Sequence, residues 1–285
     1  MKANFLSGFA LMAVMAVMMP ACTGNGKSDD SANEEDSLIA STPIAFDIKR
    51  ADRNYRIVGT GMEGEYYLTV SANVQWPVQI GSYDVKALQD TLTARLFPSH
   101  QSGGIDDSIL DYLEDVGVYQ LGGKSEVVDS VPTESPYNNV FYNLASASIE
   151  EVTETLITFK VFNAQYMGGA HPLSVAYPFT YDLQSGQVIS IGNLFEKGSD
   201  EVLSAAISDQ IAEQLGISAA ELKQNLLVDS VPVSENVYIS DGQIVFHYNP
   251  YAILPYSYGM MDVSISPYVI QEILTPDACK LLTVE

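Results

Sequence analysis

Three histidines are the side chains in this sequence best suited to metal binding or acid–base chemistry: His100, His171 and His247. A zinc site needs three or four ligands that converge in space, and none of the HxH, HxxxH or HExxH spacings occurs. No GxSxG or SxxK motif provides a serine nucleophile. We therefore predict no metal, no cofactor and no catalytic residue. Carboxylates are abundant, so a pair that acts on glycans stays open as an alternative, although no particular pair can be singled out.

His171 has the most unusual surroundings, in the segment QYMGGAHP of residues 165–172. A residue before proline is held extended, and Gly168 and Gly169 permit positive φ. The segment is therefore predicted to form a sharp corner after a strand, with the imidazole bonded to neighbouring backbone groups. Contact of His171 with a ligand is the alternative. The tyrosines of YNPYAILPYSYGM, residues 248–260, likewise suit either packing or a stacking platform.

The chain before residue 137 predicts strands followed by helices. Residues 44–80 alternate in part and are rich in aromatic and β-branched residues, which is typical of strands. Residues 84–97 place leucines at helical spacing, and a second short helix is predicted over residues 105–116. Residues 120–136 are polar and contain two glycines and two prolines, so they predict a loop and a subdomain boundary.

The chain after residue 136 repeats this order. Residues 137–167 predict a hairpin of two long strands, and residues 187–195 a further strand. Two helices are predicted next, the second with a capping box that begins at Ser218. Asp241-Gly242 is a strong hairpin-turn signal between two more strands. A last strand and a helix over residues 268–274 complete the prediction.

Strands that pair through hairpins, with helices between them, predict an α+β fold of antiparallel sheets with helices packed on one face. Both halves run from strands to helices. They can therefore be read as two related subdomains, residues 44–136 and 137–285.

The first 21 residues predict an export signal. Lys2 provides the positive start, and residues 5–19 form an apolar run that is short for a membrane span. Ala21-Cys22 after such a run resembles a bacterial lipoprotein signal, which implies cleavage before Cys22 and acylation there, with palmitate as the marker. Several acyl chains would anchor Cys22 in a lipid bilayer. An ordinary secretory signal is the alternative.

Residues 22–43 predict an acidic flexible tether, since residues 23–37 contain five carboxylates and no large apolar side chain. Acidic residues close behind a lipidated cysteine also resemble the surface-export signals of Bacteroidetes lipoproteins. We therefore expect an outer-membrane lipoprotein that faces either the cell surface or the periplasm.

The sequence is strongly acidic, with 13 Lys+Arg, 36 Asp+Glu and a net charge of −23 at pH 7. Nucleic acid is excluded as a partner, because phosphate binding needs clustered basic residues. A cationic partner would be attracted, and its association would slow as the salt concentration rises. Solubility is the simpler interpretation of the same charge.

Two segments together resemble one bacterial extracellular domain. They are FNAQYMGGAHPLSVAYPFTYDLQSGQVISIGNLF, residues 162–195, and IVFHYNPYAILPYSYGMMDVSISPYVI, residues 244–270. They are similar to the C-terminal domain of RsiV-type anti-sigma factors, which is also appended to PdaC-type peptidoglycan deacetylases. The resemblance covers residues 155–275. The matching residues, taken as candidates for a ligand-binding or structural loop, are Tyr166, Gly168, Gly169, His171, Tyr251, Pro255, Tyr256, Tyr258 and Gly259.

The resemblance implies a binding role. In the anti-sigma relatives the domain binds lysozyme outside the cell, and the two aromatic segments occur together, so we expect them to be neighbours here. Sigma-factor regulation and deacetylation are not expected, since we see neither a transmembrane helix nor a separate deacetylase domain. We therefore predict an envelope-anchored, non-catalytic binding module for an extracellular, lysozyme-like protein or a cell-wall glycan. The alternative is a glycan- or peptidoglycan-acting hydrolase or a deacetylase-associated enzyme.

Overall fold

The computed structural model of this protein describes residues 43–60, 65–101, 103–133 and 139–284. The predicted signal peptide, the lipidation site Cys22 and nearly all of the predicted tether lie outside these residues. Within the described ranges, no helix is both long enough and apolar enough to cross a membrane. The described strands and helices confirm the predicted α+β class.

The larger of two sheets has seven described strands: β1 (Ile44–Val58), β2 (Tyr66–Ile80), β3 (Lys124–Val128), β4 (Val140–Val152), β5 (Leu156–Tyr166), β6 (Leu173–Asp182) and β7 (Gln187–Val188). Their order across this main sheet is β3-β1-β2-β4-β5-β6-β7. Neighbours are antiparallel except β2 and β4, which run parallel because the chain crosses over between them. The predicted hairpin of residues 137–167 is confirmed as β4 and β5.

The smaller sheet is an antiparallel arrangement of β8 (Val237–Ser240), β9 (Gln243–Tyr248) and β10 (Met261–Ile265), with β9 in the middle. The predicted turn between β8 and β9 is confirmed, since Asp241 and Gly242 have φ values of +50° and +68°. Two successive positive φ values match the twist of the flanking strands.

Six α-helices are described: α1 (Lys86–Leu96), α2 (Ile105–Glu114), α3 (Ile191–Leu194), α4 (Asp200–Leu215), α5 (Ala219–Asn225) and α6 (Pro276–Leu281). The helical spacing before residue 98 correctly predicts α1, whose Leu88, Leu92 and Leu96 are buried. α4 ends at Gly216 in the left-handed conformation. The predicted capping box at Ser218 begins α5.

Two clusters of buried apolar side chains hold these elements together. In the first, α1 and α2 cover one face of the main sheet. The second lies among α4, α6 and the smaller sheet. Two buried threonines connect the main sheet to the smaller sheet. The Thr158 hydroxyl donates to the Ile239 carbonyl oxygen over 2.7 Å, and the Ile239 N–H donates to the Thr180 hydroxyl over 2.7 Å. Because side chains alternate along a strand, the smaller sheet contacts the face of β5 and β6 opposite the helices.

Three local predictions are wrong. Residues 120–136, predicted as a loop, contain β3, which pairs with β1 at the edge of the main sheet. The strand predicted over residues 187–195 is limited to β7, because Ser190 caps α3. The helix predicted over residues 268–274 is replaced by two 3₁₀ turns, since the N-cap that starts α6 is Thr275.

The main sheet continues across the predicted boundary between residues 136 and 137. β3, β1 and β2 come before this boundary in the chain, and β4 to β7 come after it. Apart from Leu156, the buried clusters change over between Leu183 and Ile189. The packing units of the protein therefore do not follow that boundary.

Candidate functional site

Residues 165–172 turn the chain sharply between β5 and β6. Gly168 and Gly169 have φ values of +88° and +100°, which L side chains rarely adopt. A Cβ on Gly169 would meet no atom within 4 Å, so the dihedral angle rather than crowding favours glycine there. The Tyr166 hydroxyl donates to the Gly169 carbonyl oxygen over 3.0 Å and closes the turn.

His171 stacks on Tyr256, with ring centroids 3.8 Å apart and planes inclined by 17°. The His171 Nδ1 lies 3.0 Å from the Pro172 carbonyl oxygen, which only accepts, so Nδ1 carries a proton. Nε2 faces the Tyr251 hydroxyl at 3.5 Å, and the Tyr256 hydroxyl donates to the Pro172 oxygen over 2.9 Å. The structure therefore brings the two aromatic segments into contact, as the resemblance led us to expect.

Tyr251 presents its ring to solvent. Its exposed fraction is 52%, and its φ of +68° is unusual for a residue other than glycine. Its ring centroid lies 5.6 Å from that of Tyr256. Backbone strain that holds an aromatic ring in solvent is more typical of a binding position than of a packing position.

A separate ring contact joins Tyr142 and Tyr166 on the main sheet. They are cross-strand partners in β4 and β5, and their ring centroids are 6.2 Å apart. Tyr142 is 37% exposed. We name the five rings of Tyr142, Tyr166, His171, Tyr251 and Tyr256 the aromatic corner. It runs from the main sheet to the loop before β10.

The loop before β10 is shaped by Pro255, Tyr258 and Gly259, which are not part of the aromatic corner. A 3₁₀ turn over Tyr256–Tyr258 follows Pro255, whose carbonyl oxygen accepts from the Tyr258 N–H over 3.0 Å. Gly259 ends the turn with a φ of +71°. Tyr258 packs against the second buried cluster. The candidate residues named from the sequence therefore fall into three groups: rings of the aromatic corner, turn glycines and packing residues.

A buried histidine–aspartate pair, missed by sequence reasoning, lies on the strands next to the corner loop. His247 and Asp262 are cross-strand partners in β9 and β10, with Nδ1 and Oδ1 2.6 Å apart. The His247 Nε2 lies 3.2 Å from the Asn249 Oδ1. That oxygen also accepts from the Ala176 N–H, while the Asn249 amide donates to the Ala176 carbonyl. Both ring nitrogens of His247 therefore face oxygen atoms of neighbouring side chains.

Asp262 is the anion of this pair. Burial opposes its ionisation, but the hydrogen bond and charge of His247, with Lys160 3.8 Å away, hold the pKa of Asp262 below its ordinary value of 3.8. The His247 side chain has no exposed surface, so the pair joins elements rather than offering a reactive imidazole. Its sequence signal is one histidine and one aspartate, each within a mainly apolar strand.

The three histidines have separate partners. The His100 Nε2 lies 2.9 Å from the Asp115 Oδ2, whereas His171 contacts Tyr256 and His247 contacts Asp262. Across the described ranges, no group of three or more His, Cys, Asp or Glu is placed to hold a metal ion.

Residues 192–267 match the model of a family described as a protein of unknown function, DUF3298. This part of the chain is therefore similar to that family. The matched residues include the second aromatic segment but not residues 165–172. No curated protein shows significant similarity to this sequence.

Two solved structures share the fold. A crystal structure of a DUF3298 family member from Bacteroides fragilis has a TM-score of 0.68 and 17% identity, covering 84% of this chain and 96% of that one. A DUF3298 family protein from Pseudomonas aeruginosa has a TM-score of 0.57 and 15% identity, covering 83% of this chain and 96% of that one. At these identities the likeness concerns the fold alone.

Proposed function

We propose that this protein is an envelope-anchored lipoprotein with a non-catalytic role, and that it binds an extracellular partner at the aromatic corner. The observation that carries the proposal is the set of five rings of the aromatic corner, two of which are tied to main-chain oxygens through the hydroxyls of Tyr166 and Tyr256. Tyrosines fixed in this way offer apolar area and a hydroxyl, and they lose little conformational entropy on binding.

The proposed partner is a cationic protein. The chain carries a net charge of −23, and beyond Lys160 it contains three lysines and no arginine. This excess of negative charge would speed the association with a basic protein and would disfavour acidic partners. The resemblance to RsiV-type domains makes a basic, lysozyme-like protein the partner that we name.

Anchoring through acylated Cys22 belongs to the same proposal. Its support is the Ala21-Cys22 junction after a short apolar run and the acidic stretch of residues 23–37. A tether of that composition would hold the binding module away from the outer membrane, on the cell surface or in the periplasm.

A cell-wall glycan is the second candidate, favoured by the polar sheet face beside the corner. Asn54, Thr69 and Tyr142 are neighbours across β1, β2 and β4. The Thr69 hydroxyl donates to the Asn54 Oδ1 over 2.8 Å. Such side chains can bind sugar hydroxyls while a sugar ring stacks on tyrosine.

A glycan hydrolase has less support from the site. A glycosidase general acid needs a carboxyl group with a raised pKa. Hydrogen bonds from Ser218 lower the pKa of Glu221, and the pKa of Asp262 is also below its ordinary value. Neither of these two carboxyl groups therefore meets that requirement, and the five side chains of the aromatic corner include no carboxyl group.

Titration calorimetry with a basic lysozyme at about 0.01 M salt tests the proposal. Tyr251→Ala should weaken binding at least about tenfold, since a central aromatic hot spot is worth about 2 kcal/mol or more. Tyr268→Ala is the matched control. Tyr268 is 63% exposed and lies outside the aromatic corner, so its removal should leave the affinity unchanged.

Soluble peptidoglycan fragments, titrated in parallel, separate the two candidates. Heat from these fragments that Tyr142→Ala and Tyr251→Ala both reduce would assign the corner to glycan instead of protein. Equal weakening by Tyr251→Ala and Tyr268→Ala, or no heat with either ligand, would overturn the proposal.

A further inference from the structure

A second candidate site lies on the helix-covered side of the main sheet, away from the aromatic corner residues. An opening of about 510 Å³ is found there between the end of α1 and strands β5 and β6, within the size range of small-molecule sites. Its apolar wall includes Leu96, Phe97 and Val175. We name it the Arg95 pocket, after its cation. Its polar lining residues are Arg95, Ser99, His100, Tyr112, Asn163 and Tyr177.

Arg95 is a cation without a carboxylate partner. Arg53 and Arg56 form ion pairs with glutamates, whereas the guanidinium of Arg95 has none with any carboxylate of the described ranges. Instead its Cζ lies 4.6 Å from the centre of the Phe179 ring. Arg95 is an exposed residue whose partial burial lowers its pKa, yet a guanidinium remains charged in proteins. In a chain with 36 acidic residues, an unpaired arginine in a pocket favours an external anion.

Tyr112 adds a hydroxyl that has no hydrogen bond. The residue is 9% exposed, and its OH finds no partner among the described residues. Buried polar groups are nearly always paired, and this oxygen lies behind the pocket wall rather than on its open surface, so a ligand would reach it by displacing part of that wall. Burial raises the pKa of Tyr112, so the hydroxyl keeps its proton and can donate it.

His100 occupies the same pocket wall and contacts Asp115. Its ring meets that of Tyr112 edge-on, with centroids 5.9 Å apart. Its Nε2 is 2.9 Å from the Asp115 Oδ2. The Asp115 carboxylate is therefore engaged by His100 and not by Arg95.

We propose that the Arg95 pocket binds a small organic monocarboxylate with an apolar body. The carboxylate would pair with the Arg95 guanidinium and accept from the Tyr112 hydroxyl, while the body would pack on Phe97 and Val175. A single cation in a mainly apolar opening suits one negative charge better than the two or more charges of a phosphate. This site is independent of the function proposed for the aromatic corner.

Titration of the full-length protein with phenylacetate and hexanoate tests the site. Binding is measured by calorimetry and by ligand-observed NMR. Ligands of this size should bind with a Kd of about 1 mM. Phenylacetamide, which has the same shape without the charge, should bind at least about tenfold more weakly. Inorganic phosphate should not compete.

Two variants and one control assign the binding to this pocket. Arg95→Gln should weaken phenylacetate binding about tenfold or more, and Tyr112→Phe about threefold to tenfold. Lys86→Gln removes the same charge from the same helix at a side chain that is 67% exposed, and it should have no effect. Tyr112→Phe should leave the melting temperature unchanged or higher, since its hydroxyl has no hydrogen bond to lose.

Each contrary result is decisive. Failure of both carboxylates to saturate would overturn the site, as would equal binding of phenylacetamide. Equal losses of phenylacetate affinity in Arg95→Gln and Lys86→Gln would show that the overall charge of the protein, and not the pocket, causes the binding. A clear fall in melting temperature in Tyr112→Phe, with unchanged phenylacetate binding, would make that hydroxyl structural.

Discussion

Unusual backbone angles occur in both segments of the aromatic corner. Gly169 has a φ of +100° and Tyr251 a φ of +68°. For a tyrosine this conformation costs about 1–3 kcal/mol and persists only where the surroundings enforce it. The Ala252 N–H donates to the Asn249 carbonyl oxygen over 3.0 Å, and Tyr256 packs beside the Tyr251 ring. The position of the exposed ring is thus fixed by its neighbours.

Gly169→Val should destabilise the protein by about 1–3 kcal/mol, through backbone strain alone, because a Cβ there meets no atom. Ala170→Val is the control, since it adds a similar side chain to the next residue, whose φ is not positive. Urea unfolding of both variants measures the difference. Equal free energies of unfolding would show that the corner does not depend on the Gly169 dihedral angle.

At the residue scale, the sequence could predict the corner but not its contacts. Two glycines and the residue before Pro172 indicate a sharp turn through local dihedral preferences alone. The stacking of His171 on Tyr256 joins residues 85 positions apart and depends on how β6 meets the loop before β10. No local preference encodes that meeting, so only the family resemblance pointed to it.

At the scale of elements, short-range signals were read correctly and pairings between distant strands were not. Asp241-Gly242 defines the register of β8 with β9. The connection from β9 to β10 has no such signal, so the pairing of His247 with Asp262 was missed. β3 was missed because it is a short, polar edge strand. Its one signal was Gly123, where a Cβ would collide with the Val58 carbonyl oxygen.

The Asp262–His247 pair should make stability depend on acid pH. The pKa of Asp262 is near 3.8 in the unfolded chain and lower in the folded protein. The pair therefore stabilises the fold fully above about pH 4, and this contribution is lost as the pH falls through the folded pKa. Asp262→Asn should lower the free energy of unfolding most near about pH 6, with a deficit that shrinks below about pH 4.

Urea unfolding over a pH series measures this deficit, with Asp52→Asn as the control at an exposed aspartate of β1. The free energy of unfolding of this control should differ little from that of the unsubstituted protein at every pH. A deficit in Asp262→Asn that stays constant down to about pH 2.5 would contradict the assigned ion pair.

At the scale of the whole molecule, the aromatic corner crosses the junction of the two packing units. Tyr142, Tyr166 and His171 come from the main-sheet side, and Tyr251 and Tyr256 come from the loop between β9 and β10. Direct hydrogen bonds fix this junction, among them those between Asn249 and Ala176. A partner bound at the corner would therefore contact both units at once and would meet a surface that is already ordered.

The most direct test of this account is amide hydrogen exchange of the full-length protein with and without a basic lysozyme. We predict protection of residues 165–172 and 250–260 at 0.01 M salt. This protection should weaken at 0.15 M, because the Debye length falls from about 30 Å to about 8 Å. A complex that protects other surfaces, such as α4, and leaves both corner segments unchanged would contradict the central claim that the aromatic corner is the binding surface.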